Sequence, residues 1–459
     1  MKSSRAEIYS RISKIPNLQF EDNKLTSFSG AILFQILFNR LQLKSRLKNC
    51  FSHLKQSAIF RSHWIVLLLI LHILLGYRRL RELKYYDDDP LLLRVLGLRK
   101  LPDVATVSRT LSHLDQKSVD NVRGLSRSLV LEGLKRLDLP RVTLDFDGSV
   151  QSTKGHREGT AIGFNPKKKG ARSYYPLYGT VAQTSQFFDM YHRPGNVHDS
   201  HGASDFMKEC IQEVRNELPR TLLESRIDSA FFNQNILDLL NQEQVQFTAS
   251  VPFERFPDLK EIIESRNQWH TIDDEWSYFE LNWKPDSWKT SFRFICIRKR
   301  FQQRIKGPLQ LDFFEPLDFE YEYKVIVTNK SESAKSILLF HNGRGSQEGL
   351  FAEAKQHASL DVLPSRRLHG NQMFTVCSMM AHNLSRTMQM VSAPPSTRTL
   401  PKRPPLWNFL TLGTLRHRII QRAGRMIRPR GELTLVMSAN PTVRKDILHF
   451  MESLQKEAA

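Results

Sequence analysis

Three acids and two bases carry the chemistry this sequence can offer. In the stretch FHNGRGSQEGLFAEAKQH, residues 340–357, Arg344, Glu348 and Lys355 are separated by four and then seven positions. At about 3.6 residues per turn, those steps put all three on one helix face. Alone, such a stripe is an ordinary solvated helix surface. Two earlier segments change its weight: RVTLDFD (141–147) and LLESRIDSAFF (222–232) each read as a strand that runs out at an aspartate, Asp147 and Asp228. Three carboxylates brought together repel one another unless a cation neutralises them. Oxygen donors, with no His/Cys set at ligand spacing, select Mg²⁺ or Mn²⁺. Two such ions about 3.5–4 Å apart activate a water or a 3′-hydroxyl on one side of a phosphodiester and stabilise the leaving oxygen on the other. Arg344 and Lys355, on the face of Glu348, would hold flanking phosphates, the arginine in bidentate fashion.

Each acid has a plainer alternative. Asp145 shares a strand face with Asp147, and Asp147 is preferred because it stands nearer the strand's end. Asp228 is equally suited to capping the helix after it. Glu348 suits the first turn of any helix, where the dipole favours an acid. It is the three together, in this order, that point to a metal site.

The elements that must position these residues follow from periodicity. Residues 1–140 read as helical, with apolar residues at helical spacing through FSGAILFQILFNRLQLKSRL and the Trp64 segment. Within that region, LPDVATVSRTLSHL (101–114) predicts a short capped helix whose Thr106, Ser108, Arg109 and Thr110 suit contact with DNA phosphates or bases. From Arg141 come β-like runs: RVTLDFD, YYPLYGTVAQ and QFFDMYHRPGN. An amphipathic helix from Asp199 to Leu218 follows, then LLESRIDSAFF, a helix from Phe231 to Leu240, and the strand VQFTASV.

Three strands, helix, strand, helix, strand is the order of an RNase H-like fold, a mixed α/β sheet flanked by helices. In that fold the first and fourth strands are neighbours and a third acid follows on a helix. The catalytic core is therefore expected in two parts, 141–251 and 324–392. Between them, 252–323 predicts a β-rich insertion: a helix-like PFERFPDLKEIIESR, then SYFELNW, TSFRFICIRKRF, LQLDFF and FEYEYKVIVTN as a small sheet. A long helix, GNQMFTVCSMMAHNLSRTMQM, would pack behind the site. Residues 393–459 begin with the Pro-rich linker SAPPSTRTLPKRPP and continue in a basic helix, LGTLRHRIIQRAGRMI. Arg418, Arg422 and Arg425 would share one face of it and suit duplex phosphates.

A net charge of +20 over 459 residues implies a polyanionic partner, double-stranded DNA before an anionic membrane surface. With 40% hydrophobic and 25% charged residues the chain is a folded protein, not a disordered one. Its four cysteines, Cys50, Cys210, Cys296 and Cys377, form no Cys-x-x-Cys pair, which argues against a zinc site or disulfide framework and for buried thiols in a reducing cytoplasm. No secretory signal is visible. WIVLLLILHILLGY, residues 64–77, is apolar but shorter than a membrane span of about 20 residues and is expected to be a buried helix.

The chain resembles cut-and-paste DDE transposases of bacterial insertion sequences, in the group whose RNase H-like domain carries a β-rich insertion. The matching stretches are LDFDGS around Asp147, Gly163-Phe164-Asn165, YYPL, RPGN at 193–196, RIDSAF around Asp228, and HNGRGSQEGLFAEAK. The last resembles that group's Tyr-Arg-Glu-Lys signature, mapped onto His341, Arg344, Glu348 and Lys355, with His341 standing where the signature has tyrosine. The resemblance spans roughly residues 60–430. It implies a phosphate-binding role for His341, Arg344 and Lys355, a catalytic metal-ligand role for Glu348 with Asp147 and Asp228, Mg²⁺-dependent nicking at each element end, and strand transfer by the freed 3′-hydroxyl. It also implies a homodimer that cuts in trans, and inverted repeats read by the N-terminal helical region of a cytoplasmic, nucleoid-associated bacterial protein. In relatives that form a DNA hairpin, a flipped base stacks on a Trp of the insertion; here that place falls near Tyr323 and Lys324, with Tyr321, Tyr323 or Trp288 as candidate surfaces. A nuclease without strand transfer, and an inactive DNA-binding descendant, are the competing expectations.

Overall fold

Helical spacing of apolar residues organises the first part of the chain. The computed structural model describes residues 15–456, apart from 56, 58, 164–167, 199, 303–318 and 398–399. The expected strand LQLDFF, Phe164, Asn165 and Asp199 lie outside the described residues. Among the described residues, six α-helices precede the large sheet: α1 (Ile32–Arg40), α2 (Leu43–Cys50), α3 (Ser62–Leu75), α4 (Pro90–Leu96), α5 (Val104–Ser112) and α6 (Gln116–Leu137). In α3 every residue from Ile65 to Leu75 is buried, as a helix apolar on all sides must be. No helix among the described residues is long and apolar enough to cross a membrane. α3 stops at Gly76, whose φ of +105° is the left-handed conformation glycine adopts freely.

The sheet follows: β1 (Arg141–Gly148), β2 (Leu177–Val181), β3 (Gln186–Tyr191), α7 (Ala203–Glu217), β4 (Leu222–Ile227), α8 (Gln234–Gln242) and β5 (Gln246–Val251). β1 pairs antiparallel with β2 and parallel with β4, β2 with β3 antiparallel, and β4 with β5 parallel. The spatial order β5-β4-β1-β2-β3 is the arrangement expected of an RNase H-like core. Apolar side chains of β1 (Val142, Leu144, Phe146) and β4 (Leu223, Ile227) join α7 and α8 in one core. Between β1 and β2 lies a small three-stranded sheet of Gln151–Ser152, Ala161–Ile162 and Arg172–Tyr174.

The small β-sheet expected of the insertion is continuous with the core sheet. After α9 (Pro257–Glu264) come β6 (Trp276–Leu281), β7 (Arg293–Gln302) and β8 (Phe319–Thr328). β8 pairs with β7 along its whole length, and its last residues, Val325–Thr328, pair with β5 as well. One strand thus carries the hydrogen bonding from insertion into core, and together with His270–Thr271 the result is a single nine-stranded sheet.

Beyond β8 lie α10 (Ala334–Asn342), α11 (Gly345–His357) and the long α12 (Leu368–Ser392). α12 is buried along most of its length, between β3 on one side and α3 and α6 on the other. The tail is not the single basic helix expected. It is a short helix, Leu412–Leu415, one wide turn, Arg416–Ile420, and a strand, Gly424–Ile427, followed by α13 (Pro441–Lys456). The strand pairs with Leu25–Thr26 on one side and Thr434–Met437 on the other, and this pairing overrides helical periodicity. α13 packs on α1 and α12, so an N-terminal helix and the last described helix share one core.

Arg416 is the tail's anchor. Buried beside Gly76, it donates from Nε to Leu74 O (2.9 Å) and from Nη2 to Ile73 O (2.5 Å) and His357 O, closing the carboxyl ends of α3 and α11. A side chain at residue 76 would meet Arg416 Cδ at 3.0 Å. All four cysteines are buried free thiols.

Two stability predictions follow from this packing. Replacing Arg416 by Met leaves buried carbonyls without donors and should cost about 2–3 kcal/mol in chemical denaturation; no loss would mean the anchor is dispensable. Burial, the leading cause in each case, lowers His63, His72 and His382 to about 4 and His341 well below its ordinary value. Histidines of the unfolded chain take up protons from about pH 6.5 downward, so between there and about pH 4 the unfolded state binds more. Stability should therefore fall as pH is lowered from 7.5 to 5, visible as a falling unfolding temperature. A flat profile would contradict the neutral buried state of these rings.

Candidate active site

Alternation along two neighbouring strands builds the site. β1 and β4 run parallel with Thr143 opposite Glu224 and Asp145 opposite Arg226. With a side-chain period of two, Thr143, Asp145 and Asp147 leave one face of β1, and Glu224, Arg226 and Asp228 leave the same face of β4. The result is a ladder of three polar rungs, running from the interior to the strand ends.

The innermost rung is Thr143 and Glu224. Thr143 Oγ1 donates to Glu224 Oε2 at 3.1 Å. Around the buried Glu224 stand Lys330 Nζ at 3.0 Å, Arg403 Nε at 2.9 Å and Arg141 Nη1 at 3.2 Å. Burial works to raise its carboxyl, and Arg403 with Lys330 overcomes that, holding it below the ordinary carboxylate range.

The middle rung is a buried bidentate pair. Arg226 Nε lies 2.8 Å from Asp145 Oδ1, and Nη2 lies 2.5 Å from Oδ2. Arg226 Nη1 also donates to Lys402 O (2.7 Å) and Phe340 O (3.3 Å). Asp145, the alternative first acid, therefore has both oxygens engaged by arginine in the interior.

The outer rung is Asp147 and Asp228, half-buried at the strand ends. Asp147 Oδ1 accepts from Gly148 N at 2.8 Å and Asp228 Oδ1 from Ala230 N at 2.9 Å. Asp228 is thus an N-cap as well as a site residue. The other oxygens meet one cation: Arg344 Nη1 is 3.7 Å from Asp147 Oδ2 and 3.8 Å from Asp228 Oδ2. The two carboxylates are therefore no further apart than those two distances laid end to end.

Arg344 is held there by its surroundings. It precedes α11, whose buried Gln347 donates from Nε2 to Asp145 O (3.1 Å) and Thr180 Oγ1 (3.0 Å), tying the helix to β1 and β2. Gly343, in the turn between α10 and α11, touches both the strap at residues 400–406 and the ladder. A Cβ there would lie 2.0 Å from Lys402 O and 2.2 Å from Arg226 Nη1. Glu348 sits in the first turn of α11, exposed and one turn beyond Arg344. Among the described residues, no three His, Cys, Asp or Glu side chains gather closely enough to hold a metal ion. Two of the three expected acids meet; repulsion between them is relieved by Arg344, and the third faces solvent on the adjacent turn. The donor set fits a hard cation: carboxylate oxygens of Asp147 and Asp228 already face a shared positive charge.

The remaining expected contacts divide. His341 is buried, with Nε2 2.8 Å from Ser250 Oγ and Nδ1 3.0 Å from Thr248 Oγ1. Burial, with the charges of Lys324, Arg344 and Arg226, keeps its ring neutral, so it anchors α10 to β5 instead of reaching a phosphate. Lys355 is half-buried near the end of α11. Arg109 is exposed on α5, its Nη2 3.3 Å from Thr106 Oγ1. Arg418, Arg422 and Arg425 do not share a helix face: Arg418 pairs with Asp446 (2.7 Å), Arg422 donates to Arg418 O (2.8 Å), and Arg425 lies on a strand beside Asp22 (3.0 Å). Among the stacking candidates, Trp288 is buried against Phe232, their centroids 4.7 Å apart. Tyr323 is half-buried beside Trp269, and Tyr321 is exposed with the Arg298 guanidinium 4.4 Å above its ring.

Sequence reasoning missed Glu224, Arg226, Gln347 and Arg403. The polar residues at every second position of β4, matched by those of β1, were the signal for the first two.

No curated protein matches. The piggyBac transposase, in a synaptic complex with hairpin DNA, superposes with a TM-score of 0.40 at 11% identity, covering 93% of this chain and 85% of that one. The Mos1 transposase paired-end complex with the left transposon end gives 0.18 at 11% identity, over 37% of this chain and 56% of that one. The Mos1 mariner paired-end complex with Mn gives 0.17 at 13% identity over the same shares. The model of the transposase DDE domain group 1 family matches residues 12–459, nearly the whole chain, and the chain belongs to that family.

Proposed function

We propose that this transposase binds the inverted-repeat ends of an insertion sequence, cleaves DNA at those ends and joins them to target DNA by two-metal phosphodiester chemistry. The observation that carries the reading is the outer rung: Asp147 and Asp228 end adjacent strands and share Arg344, with Glu348 one turn on. Asp147, Asp228 and Glu348 would hold two divalent ions. Bound there, Mg²⁺ or Mn²⁺ supplies activation of a water or 3′-hydroxyl and charge stabilisation at the leaving oxygen. The chain's own contribution is placement. Asp147 and Asp228 are each braced through Oδ1 by a backbone N–H and present Oδ2 to the reacting side. Arg344 and Lys355 grip phosphates beside the scissile bond and oppose developing negative charge.

Double-stranded DNA is the partner, and a homodimer on two element ends is the working assembly, in the cytoplasm of a bacterial cell. Arg109, exposed on α5 beside Thr106, presents to duplex phosphates. Arg418, Arg422 and Arg425 add positively charged side chains beside α13 and the Gly424–Ile427 strand without forming one reading face.

Asp147→Asn, Asp228→Asn and Glu348→Gln should each reduce cleavage of end DNA by about 10²–10³-fold or more while leaving DNA binding intact. Unchanged cleavage in Asp228→Asn and Glu348→Gln would end the site assignment. Pre-cleaved end DNA incubated with supercoiled plasmid and Mg²⁺ should yield joined product; hydrolysis alone would make the protein a nuclease. Arg109→Ala should weaken binding to end DNA and lower the slope of log affinity against log salt by about one; an unaltered slope would remove α5 from the interface.

A further inference from the structure

We propose that Arg226 is a positioning residue for the phosphodiester chemistry: its one guanidinium locks β1, the strap at residues 400–406 and the end of α10 together, so that Asp147, Asp228 and Arg344 meet. The inference rests on the site reading above. The side chain is fully buried, and four acceptors converge on it from three distant parts of the chain. They are the two Asp145 oxygens at 2.8 and 2.5 Å, Lys402 O at 2.7 Å and Phe340 O at 3.3 Å. Asp145, Phe340 and Arg226 itself each lie a few residues along the chain from a site residue. Asp147 is two residues beyond Asp145, Asp228 two beyond Arg226 and Arg344 four beyond Phe340.

The contacts are specific to a planar, five-donor group. Lysine can meet Asp145 but cannot also span two carbonyls in different directions. The turn itself is shaped to the guanidinium: the missing Cβ of Gly343 would stand 2.2 Å from Nη1, so any larger residue pushes the α10–α11 turn away. The Phe340 ring packs on the guanidinium from below, its centroid 5.4 Å from Cζ. Stability alone does not demand this pair, since buried ion pairs replaced by apolar residues of similar volume are often neutral. Position and stability can therefore be separated.

The test uses the full chain with end DNA, in Arg226→Lys and in the double variant Asp145→Leu with Arg226→Met. Thermal unfolding, end-DNA binding, Mn²⁺ affinity by electron paramagnetic resonance, and cleavage rate against Mg²⁺ concentration are the readouts. Both variants should fold and bind DNA like the parent, yet bind Mn²⁺ about tenfold more weakly and cleave about 10–100-fold more slowly at saturating Mg²⁺, the scale of a misplacement near 1 Å. If the double variant does not fold, Arg226→Lys decides. Parental Mn²⁺ affinity and cleavage in a folded variant overturns the proposal, and so does unfolding of both. Asp228→Asn separates the two readings: if it cleaves, the site assignment itself fails; if it is dead while Arg226→Lys is fully active, only the positioning role fails.

Discussion

The parallel pairing of β1 with β4 admits one register. A slip of one residue would turn Val142, Leu144 and Phe146 out of the core, because side-chain direction alternates. A slip of two keeps the faces but sets Asp145 opposite Glu224 or Asp228, two carboxylates facing each other where water is scarce. Only the observed pairing matches Asp145 with Arg226 and leaves Glu224 to Lys330, Arg403 and Arg141. The buried charges thus act more on specificity than on net stability, since their desolvation offsets much of their attraction. Once the register is fixed, Asp147 and Asp228 have no choice but to end side by side.

What covers the ladder matters as much as what forms it. The polar face of β1 and β4 lies beneath the α10–α11 hairpin and the strap, and both make backbone contacts with Arg226. The strap belongs to a Pro-rich stretch that reads as a linker. Here it is structural: Leu406 N donates to Gln183 O at 2.8 Å, and Arg403 reaches the innermost rung. A segment joining two regions also fastens the first to the site.

The core was legible because its signals are local. RVTLDFD and LLESRID alternate apolar and polar residues over a strand's length, and the order of elements decides which strands become neighbours. The spacing of Arg344, Glu348 and Lys355 needed only helix geometry. The partner of Asp145 was hidden, since nothing in RIDSAF shows whether its arginine faces solvent or a carboxylate 81 residues away. His341 misled for the same reason: its burial depends on Thr248 and Ser250 in β5. The tail misled more deeply. LGTLRHRIIQRAGRMI has helical periodicity, but Gly424–Ile427 finds strands on both sides, one of them nearly four hundred residues earlier in the chain. The insertion's continuity with the core sheet is likewise a property of β8's length and register, which no short window contains.

In the proposed function, Asp147, Asp228 and Glu348 would hold the divalent ions together at the end of β1 and β4. Ferrous iron substituted for Mg²⁺, with ascorbate and peroxide, generates hydroxyl radicals that cut the polypeptide beside the bound ion. Cleavage should cluster near residues 147, 228 and 348 and be suppressed by excess Mg²⁺. Cuts scattered elsewhere, or a pattern indifferent to Mg²⁺, would contradict the account.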